Sequence, residues 1–248
     1  MREGVHIQEF IIKIQGLSKI YKVGNEKVRA LDNISLEIEE GKIYCILGTS
    51  GSGKSTLLYL MAGLEKPSRG SIVINGHHLE KMSETQLAHF RQKYIGFIFQ
   101  SFNLLPNLTA LENVSLPLVF RGKSPAARER RARKMLTAVG LPRHLRHKPS
   151  QMSGGQQQRV GIARAFVSKP PIILADEPTG NLDSRTTAQI MQLMIGMVQE
   201  NQQTLIIVTH DYNVAAYADQ VIHILDGQVE RIVHNKNYDI SEAKFNEK

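Results

Sequence analysis

At 248 residues, 42% of them hydrophobic, the chain can bury a full core, which excludes an intrinsically disordered protein. Its longest apolar runs, such as those at 172–175 and 205–208, fall far short of the ~18 residues of a membrane-spanning helix, and residues 1–6 carry no secretory leader pattern. The net charge of +8 is one local excess: residues 121–148 hold ten Lys/Arg against the single acid Glu129, and the rest of the chain sums to −1.

Along the chain, Phe10 to Gly16 and Ile34 to Ile38 alternate apolar and polar residues, as half-buried strands do. Ile43 to Leu47 is continuously apolar and ends at glycine, which predicts a buried strand. It contains Cys45, the one cysteine, which rules out an intramolecular disulfide and fits a reducing, cytoplasmic setting; its apolar neighbours predict a packed core thiol. Leu57 to Leu64 reads as helix, and Ser71 to Ile74 as a strand entering a tight turn at Asn75-Gly76. From about Glu84 to Ser168 the pattern is mostly helical, with breaks at Pro106, Pro117, Pro125, Pro142 and Pro149. This stretch carries the basic excess (Arg121, Lys123, Arg128, Arg130, Arg131, Arg133, Lys134, Arg143, Arg146 and Lys148), read either as a solvated helix face or as a contact surface. Two fully apolar strands, 172–175 and 205–208, flank a helical stretch from about Ser184 to Glu200, the β-α-β pattern of a parallel α/β sheet. After about Val233 the chain is polar, and no internal repeat is present.

Three segments carry chemistry. The strand at 43–47 runs into Gly48-Thr49-Ser50-Gly51-Ser52-Gly53-Lys54-Ser55-Thr56, a G-x-x-x-x-G-K-[ST] loop in the required strand–loop–helix setting. Its glycines let backbone N–H groups curl around phosphate oxygens at the positive end of a helix; Lys54 would reach the β and γ phosphates and the Ser55 hydroxyl would bind Mg²⁺. The loop predicts nucleotide binding without specifying the base. The second segment, 172–177, is an apolar strand ending in Asp176 and Glu177, which places two carboxylates at the C-terminal edge of a parallel sheet. Asp176 would hold the Mg²⁺ shell and Glu177 would polarise the attacking water. The third, Met152-Ser153-Gly154-Gly155-Gln156, is a small-residue turn opening the helical run Gln157 to Ser168, and a helix start of this kind is itself an anion site. The chain thus has two phosphate-binding helix starts and one lysine-bearing loop, and a second copy of the chain would reconcile the numbers.

These residues resemble the ABC transporter ATPases: Walker A at 48–56, Q-loop Gln100, signature at 152–156, Walker B at 172–177, D-loop Asn181-Leu182-Asp183 and switch His210. The resemblance covers about residues 10–232, with Met152 where the signature usually begins with Leu, another unbranched-stem apolar residue. It implies an α/β P-loop NTPase with a parallel-sheet RecA-like core, an N-terminal antiparallel β subdomain and a helical subdomain inserted at about 101–168. The ATPase domain would span 1–232 and a polar tail 233–248. It also implies a head-to-tail homodimer formed on ATP binding. Each ATP would be held by the Walker A loop of one subunit and by Ser153, Gly154, Gly155 and Gln156 of the other. Gln100 would sense Mg²⁺ and the membrane partner, His210 would contact the γ-phosphate, and Asp183 would link the two sites. Tyr21 corresponds to the aromatic that stacks on adenine in this family, although from sequence it could equally be a strand residue packed inward.

A finer resemblance, in Glu177-Pro178-Thr179-Gly180-Asn181-Leu182-Asp183, in 111–118 and in 150–159, is to the branch of macrolide-exporter, lipoprotein-release and cell-division ATPases. This branch implies an integral-membrane permease partner at the cytoplasmic face, with a membrane-fusion accessory protein as a further partner, and export or force transmission as the work done. Phe102, Leu104 and Leu105 would be apolar anchors for a permease helix, although each could instead be ordinary core. The basic stretch keeps one alternative in play, a soluble ABC ATPase acting on nucleic acid or ribosomes. Against it, the 105 residues from Gly48 to Ser153 hold no sustained heptads, and only one cassette is present, so no nucleic-acid partner is expected.

Overall fold

A computed structural model describes residues 10–235, and within them two sheets share one core. The first is antiparallel, in the order β2-β1-β4-β5, from β1 (Phe10–Val23), β2 (Glu26–Glu39), β4 (Arg69–Ile74) and β5 (His77–His78). The second, in the order β10-β9-β3-β8-β7-β6, comprises β3 (Ile43–Leu47), β6 (Ile95–Ile98), β7 (Ile172–Asp176), β8 (Thr204–Thr209), β9 (Gln220–Leu225) and β10 (Gln228–His234). Its pairings are parallel except for β10 on β9. The helices are α1 (Lys54–Met61), α2 (Glu84–Tyr94), α3 (Ala110–Phe120), α4 (Pro125–Ala138), α5 (Gly154–Phe166), α6 (Ser184–Asn201) and α7 (Tyr212–Ala215).

Period-two alternation explains why the central strands are apolar throughout. In β3, Ile43, Cys45 and Leu47 face a core shared with α3, α4, α5 and α6, through Val114, Leu136, Val160 and Met194. Tyr44 and Ile46 face the other way, onto Leu57 and Leu60 of α1, Phe90 of α2 and Ile12, Ile14 and Ile72 of the antiparallel sheet. β7 and β8 divide in the same manner, Ile173 and Ile207 to one side, Leu174 and Ile206 to the other. A strand covered on both faces has no position for a polar residue, so the alternating signature disappears. Cys45 is fully buried, as its neighbours predicted, and burial pushes its thiol pKa up.

Several elements depart from the sequence expectations. β1 runs seven residues beyond Gly16, and β2 starts eight before Ile34, because the two form a long hairpin around Gly24-Asn25 whose outer half is largely exposed, Val23 and Val28 included. Helix α1 starts at Lys54 rather than Leu57 and closes at Met61, where Gly63 adopts a positive φ. The stretch 84–168 is interrupted by β6, a central-sheet strand; Gly96 there lies so close to the Ala165 carbonyl that an added Cβ would meet it at 2.6 Å. The turn at Asn75-Gly76 does form, with φ of 48° and 76°, joining β4 and β5 as a two-residue hairpin. β10 carries the fold through His234, and the rest of the polar tail, 236–248, lies outside the described residues. Arg121 belongs to the fold and not to a solvated face. Its guanidinium donates to the Gln92, Lys93 and Ser168 carbonyls, tying the C-terminal ends of α2 and α5 to the end of α3.

No helix among the described residues is long and apolar enough to cross a membrane.

Candidate functional site

The parallel order β3-β8-β7-β6 brings four loops to one sheet edge: the phosphate loop after β3, Thr209-His210 after β8, Asp176-Glu177 at the end of β7 and Gln100 just past β6. The C-terminal edge of a parallel sheet is where α/β folds bind ligands. A cavity of about 1270 Å³ opens there, lined by Gly48, Thr49, Ser50 and Ser55 on one side and by Gln100, Glu177 and His210 on the other.

The phosphate loop is shaped by close approach. A Cβ on Gly48 would strike the Ile224 carbonyl, and one on Gly53, at φ +100°, would strike the Ala30 carbonyl, while Gly51 takes φ +81° in open space. Ser52 is buried inside the loop, and its backbone carbonyl accepts from Gly227 N at 3.0 Å, which ties the loop to the turn between β9 and β10. The Lys54 ammonium is curled over the loop and donates to the Thr49 carbonyl at 2.6 Å. Burial lowers its pKa, while the charges of Glu177 and Asp176 act in the opposite direction. A phosphate in the loop would give this cation the anionic partner its burial lacks.

Across the cavity, Ser55 Oγ donates to Asp176 Oδ1 at 2.9 Å and Tyr59 OH to Asp176 Oδ2 at 2.7 Å. Glu177 receives Gln100 Nε2 at 3.1 Å on one oxygen and His210 Nδ1 at 3.1 Å on the other. A carboxylate only accepts, so Nδ1 is the protonated nitrogen of His210. Glu177 sits at φ +42°, a conformation costly for a residue with a Cβ, while its N–H still pairs with the Val208 carbonyl at 2.9 Å. The strained turn swings the carboxylate off the sheet axis into the cavity. Gly180 completes it, because a Cβ there would meet Gln100 Nε2 at 3.0 Å and Glu177 Oε2 at 3.2 Å.

Ser153, Gly154, Gly155 and Gln156 lie elsewhere. They line a separate hollow of about 390 Å³ with Asn181, Asp183 and Arg159, and no phosphate-loop residue reaches it. Ser153 caps α5 in a capping box with Gln156: Ser153 N donates to Gln156 Oε1 at 2.9 Å, and Gln156 N to Ser153 Oγ at 3.4 Å. The Gln156 amide also donates to His144 Nε2 at 3.2 Å, a contact the sequence did not disclose. Asp183 caps α6 by accepting from Thr186 N at 2.9 Å and Thr186 Oγ1 at 2.6 Å, and these bonds lower its pKa.

Tyr21 is in neither core cluster and is only half-buried, so it is not an inward-packed strand residue. Its hydroxyl donates to Glu65 Oε2 at 2.6 Å, and Lys19 lies 5.0 Å above its ring. Burial first, then the Glu65 bond, pushes its pKa up to about 12. Tyr59 and His144 are the site neighbours that sequence reasoning missed. The signal for Tyr59 was its spacing of four from Ser55 on a helix; nothing in the sequence marked His144.

Residues 31–180 match the family described as ABC transporter. The chain is 46% identical over 233 residues to an uncharacterized ABC transporter ATP-binding protein, MJ0796, of Methanocaldococcus jannaschii, covering 92% of this chain and 99% of that one. A solved dimeric structure of that cassette in a post-hydrolysis state, bound to ADP and Pi, superposes with a TM-score of 0.86 at 45% identity, over 92% of this chain and 100% of that one. The macrolide export ATP-binding/permease protein MacB of a Shewanella species is 46% identical over 217 residues, which are 88% of this chain but 33% of that longer protein. The lipoprotein-releasing system ATP-binding protein LolD of Chromohalobacter salexigens is 43% identical over 221 residues, 89% of this chain and 93% of that one. The chain belongs to the ABC transporter family, and its chemistry is the binding and hydrolysis of ATP.

Proposed function

We propose that the chain drives a membrane permease from the cytoplasmic face, as a homodimer that closes around two ATP molecules, in an exporter or force-transmitting system of the macrolide-export and lipoprotein-release type. One observation carries the reading: the phosphate loop and the signature residues open onto separate hollows of the same chain. A nucleotide held by Lys54 cannot touch Ser153 of its own subunit, so both elements serve one nucleotide only across an interface. Two-fold symmetry then gives two equivalent sites. MJ0796 forms a dimer in its solved structure, and the relatives named above include a permease fusion and a lipoprotein-releasing subunit.

Within each site the roles divide by position. Thr49 to Thr56 hold the phosphates, with Lys54 released from the Thr49 carbonyl to reach them. Glu177, oriented by Gln100 and His210, accepts the proton of the attacking water, and His210 stays beside the departing phosphate. Tyr21 offers its ring to the adenine. Asp183, already capping α6, faces the partner's site. Ser55 and Asp176, joined by a 2.9 Å hydrogen bond, are hard oxygen donors that fit Mg²⁺, and Gln100 stands close by. When bound, Mg²⁺ would supply neutralisation of the β- and γ-phosphate charge.

An interchain cross-link tests the arrangement. Ser50 is exposed on the phosphate loop, and a Cβ at Gly154 would meet nothing closer than Phe102 at 3.7 Å, so cysteines are tolerated at both. Cys45 is fully buried and will not compete. The S50C/G154C protein should cross-link between chains only with ATP present. Cross-linking that ignores ATP, or that stays within one chain, would rule out the shared site.

A further inference from the structure

Helix α1 does more than present Lys54. Ser55 and Tyr59 are four residues apart, so they lie one above the other on a single helix face, and that face abuts the end of β7. Together they bracket Asp176: Ser55 Oγ takes Oδ1 at 2.9 Å and Tyr59 OH takes Oδ2 at 2.7 Å. With each oxygen assigned its own donor, the carboxylate plane is fixed. If Ser55 alone were present, the group could rotate about its last torsion, a soft motion for an sp³–sp² bond.

A tyrosine is not needed at this position for packing. Its ring contacts Phe97, with centroids 6.0 Å apart and planes at 39°, a contact that phenylalanine would make as well. What the hydroxyl adds is a donor aimed at a carboxylate that is only 8% exposed. A half-buried Tyr hydroxyl seeks a partner, and here the partner is the acid of the cation site.

We infer that Tyr59 is a positioning residue for the divalent-cation site: its hydroxyl immobilises Oδ2 of Asp176 and keeps Oδ1 on the side shared with Ser55. The inference rests on the reading of Ser55 and Asp176 as the cation-holding pair. When the Ser55 hydroxyl turns to a cation, Tyr59 is the donor that stays on Asp176. Removing a hydrogen-bond partner of a metal-holding carboxylate costs about 10–100-fold in metal affinity. Tyr59 does not touch the nucleotide loop in this way, so nucleotide affinity measured without metal is expected to be unaffected.

The experiment uses the full chain loaded with ADP and Mn²⁺ as probe, with free Mn²⁺ followed by electron paramagnetic resonance. Tyr59→Phe should weaken Mn²⁺ binding roughly tenfold, while ADP affinity in chelator stays at the wild-type value. Phe97→Leu, which removes the ring contact and spares the hydroxyl bond, should retain wild-type Mn²⁺ affinity. Asp176→Asn serves as the reference for a damaged site. If Tyr59→Phe binds Mn²⁺ like wild type while Asp176→Asn does not, Tyr59 has no positioning role. Equal losses in Tyr59→Phe and Phe97→Leu would assign the effect to ring packing and overturn the proposal. Wild-type Mn²⁺ binding by Asp176→Asn would instead remove the cation-site reading itself, and the inference with it.

Discussion

Glu177 shows how much chemistry can rest on one strained residue. Its left-handed backbone, at φ +42°, is costly for a side chain with a Cβ, yet the position is held by the Val208 carbonyl behind it and by Gln100 and His210 in front. Nothing in the backbone conformation favours glutamate over glycine or asparagine, which supports the proposed chemical role of the carboxylate. Glu177→Gln keeps the size of the side chain and one acceptor oxygen for Gln100, but it removes the proposed base. Turnover should fall by about 10²–10⁴-fold, the usual weight of a general base, with ATP binding retained. Phosphate release and light scattering check this together: the variant should accumulate as an ATP-bound dimer, and a monomer that holds ATP, or hydrolysis near the wild-type rate, would remove Glu177 from this role.

The segment after β6 shows what the sequence could and could not disclose about elements. The sequence led us to expect a coupling region at Gln100 and the loop that follows, but which of Phe102, Leu104 and Leu105 reaches the surface was not legible, because it depends on what packs beneath them. Leu104 is half-buried against the central core, whereas Leu105 is 45% exposed. Asn113, fully buried in α3, clamps Leu105 by donating to its carbonyl at 3.1 Å and accepting from its N–H at 2.8 Å. Phe102 and Asn103 both take positive φ, and their carbonyls are held by the half-buried Arg164 of α5. The loop is therefore fastened to the signature helix and presents one apolar side chain, Leu105, outward. Leu105→Asp should leave basal ATPase intact and abolish its change on adding the reconstituted permease. Leu104→Asp should instead cost about 3 kcal/mol of stability, through a carboxylate forced against the core. Equal stimulation of wild type and Leu105→Asp would place the coupling surface elsewhere. The same dependence on context hid other elements. The run 95–98 is too short and too close to helical segments to be told from them by periodicity, and only its slot beside β7 makes it a strand. β9 and the exposed outer half of the β1–β2 hairpin likewise take their identity from their neighbours. The phosphate loop and the Asp176-Glu177 pair were legible because their chemistry is local, one strand and the turn that follows it.

At the scale of the whole molecule, the excess charge lies outside the phosphate-loop cavity. The basic stretch lies along α4 and the loop after it, where Lys123, Arg130, Arg131, Lys134, Arg143 and Arg146 are exposed, while Arg121 is spent on joining helix ends. The edge that carries the phosphate loop is lined by acids and by one buried ammonium, while the basic loop after α4 reaches the signature residues, where His144 accepts from the Gln156 amide. In the proposed homodimer, the two hollows would determine the behaviour of the assembly. In a symmetric dimer, Lys54→Ala removes the phosphate-binding cation from both sites, and Ser153→Arg fills both signature hollows; each homodimer should be inactive. A mixed dimer differs, because one site receives both defects and its counterpart receives neither. Co-expressing the two variants with different affinity tags, and purifying through both tags, isolates that species. It should hydrolyse ATP measurably above either homodimer if the loop of one subunit works with the signature of the other. If Lys54 and Ser153 served the same nucleotide within one chain, every site in the mixed dimer would carry one defect, and activity would stay at the level of the single variants. A doubly tagged dimer that binds ATP and remains as inactive as its parents would therefore refute the shared site.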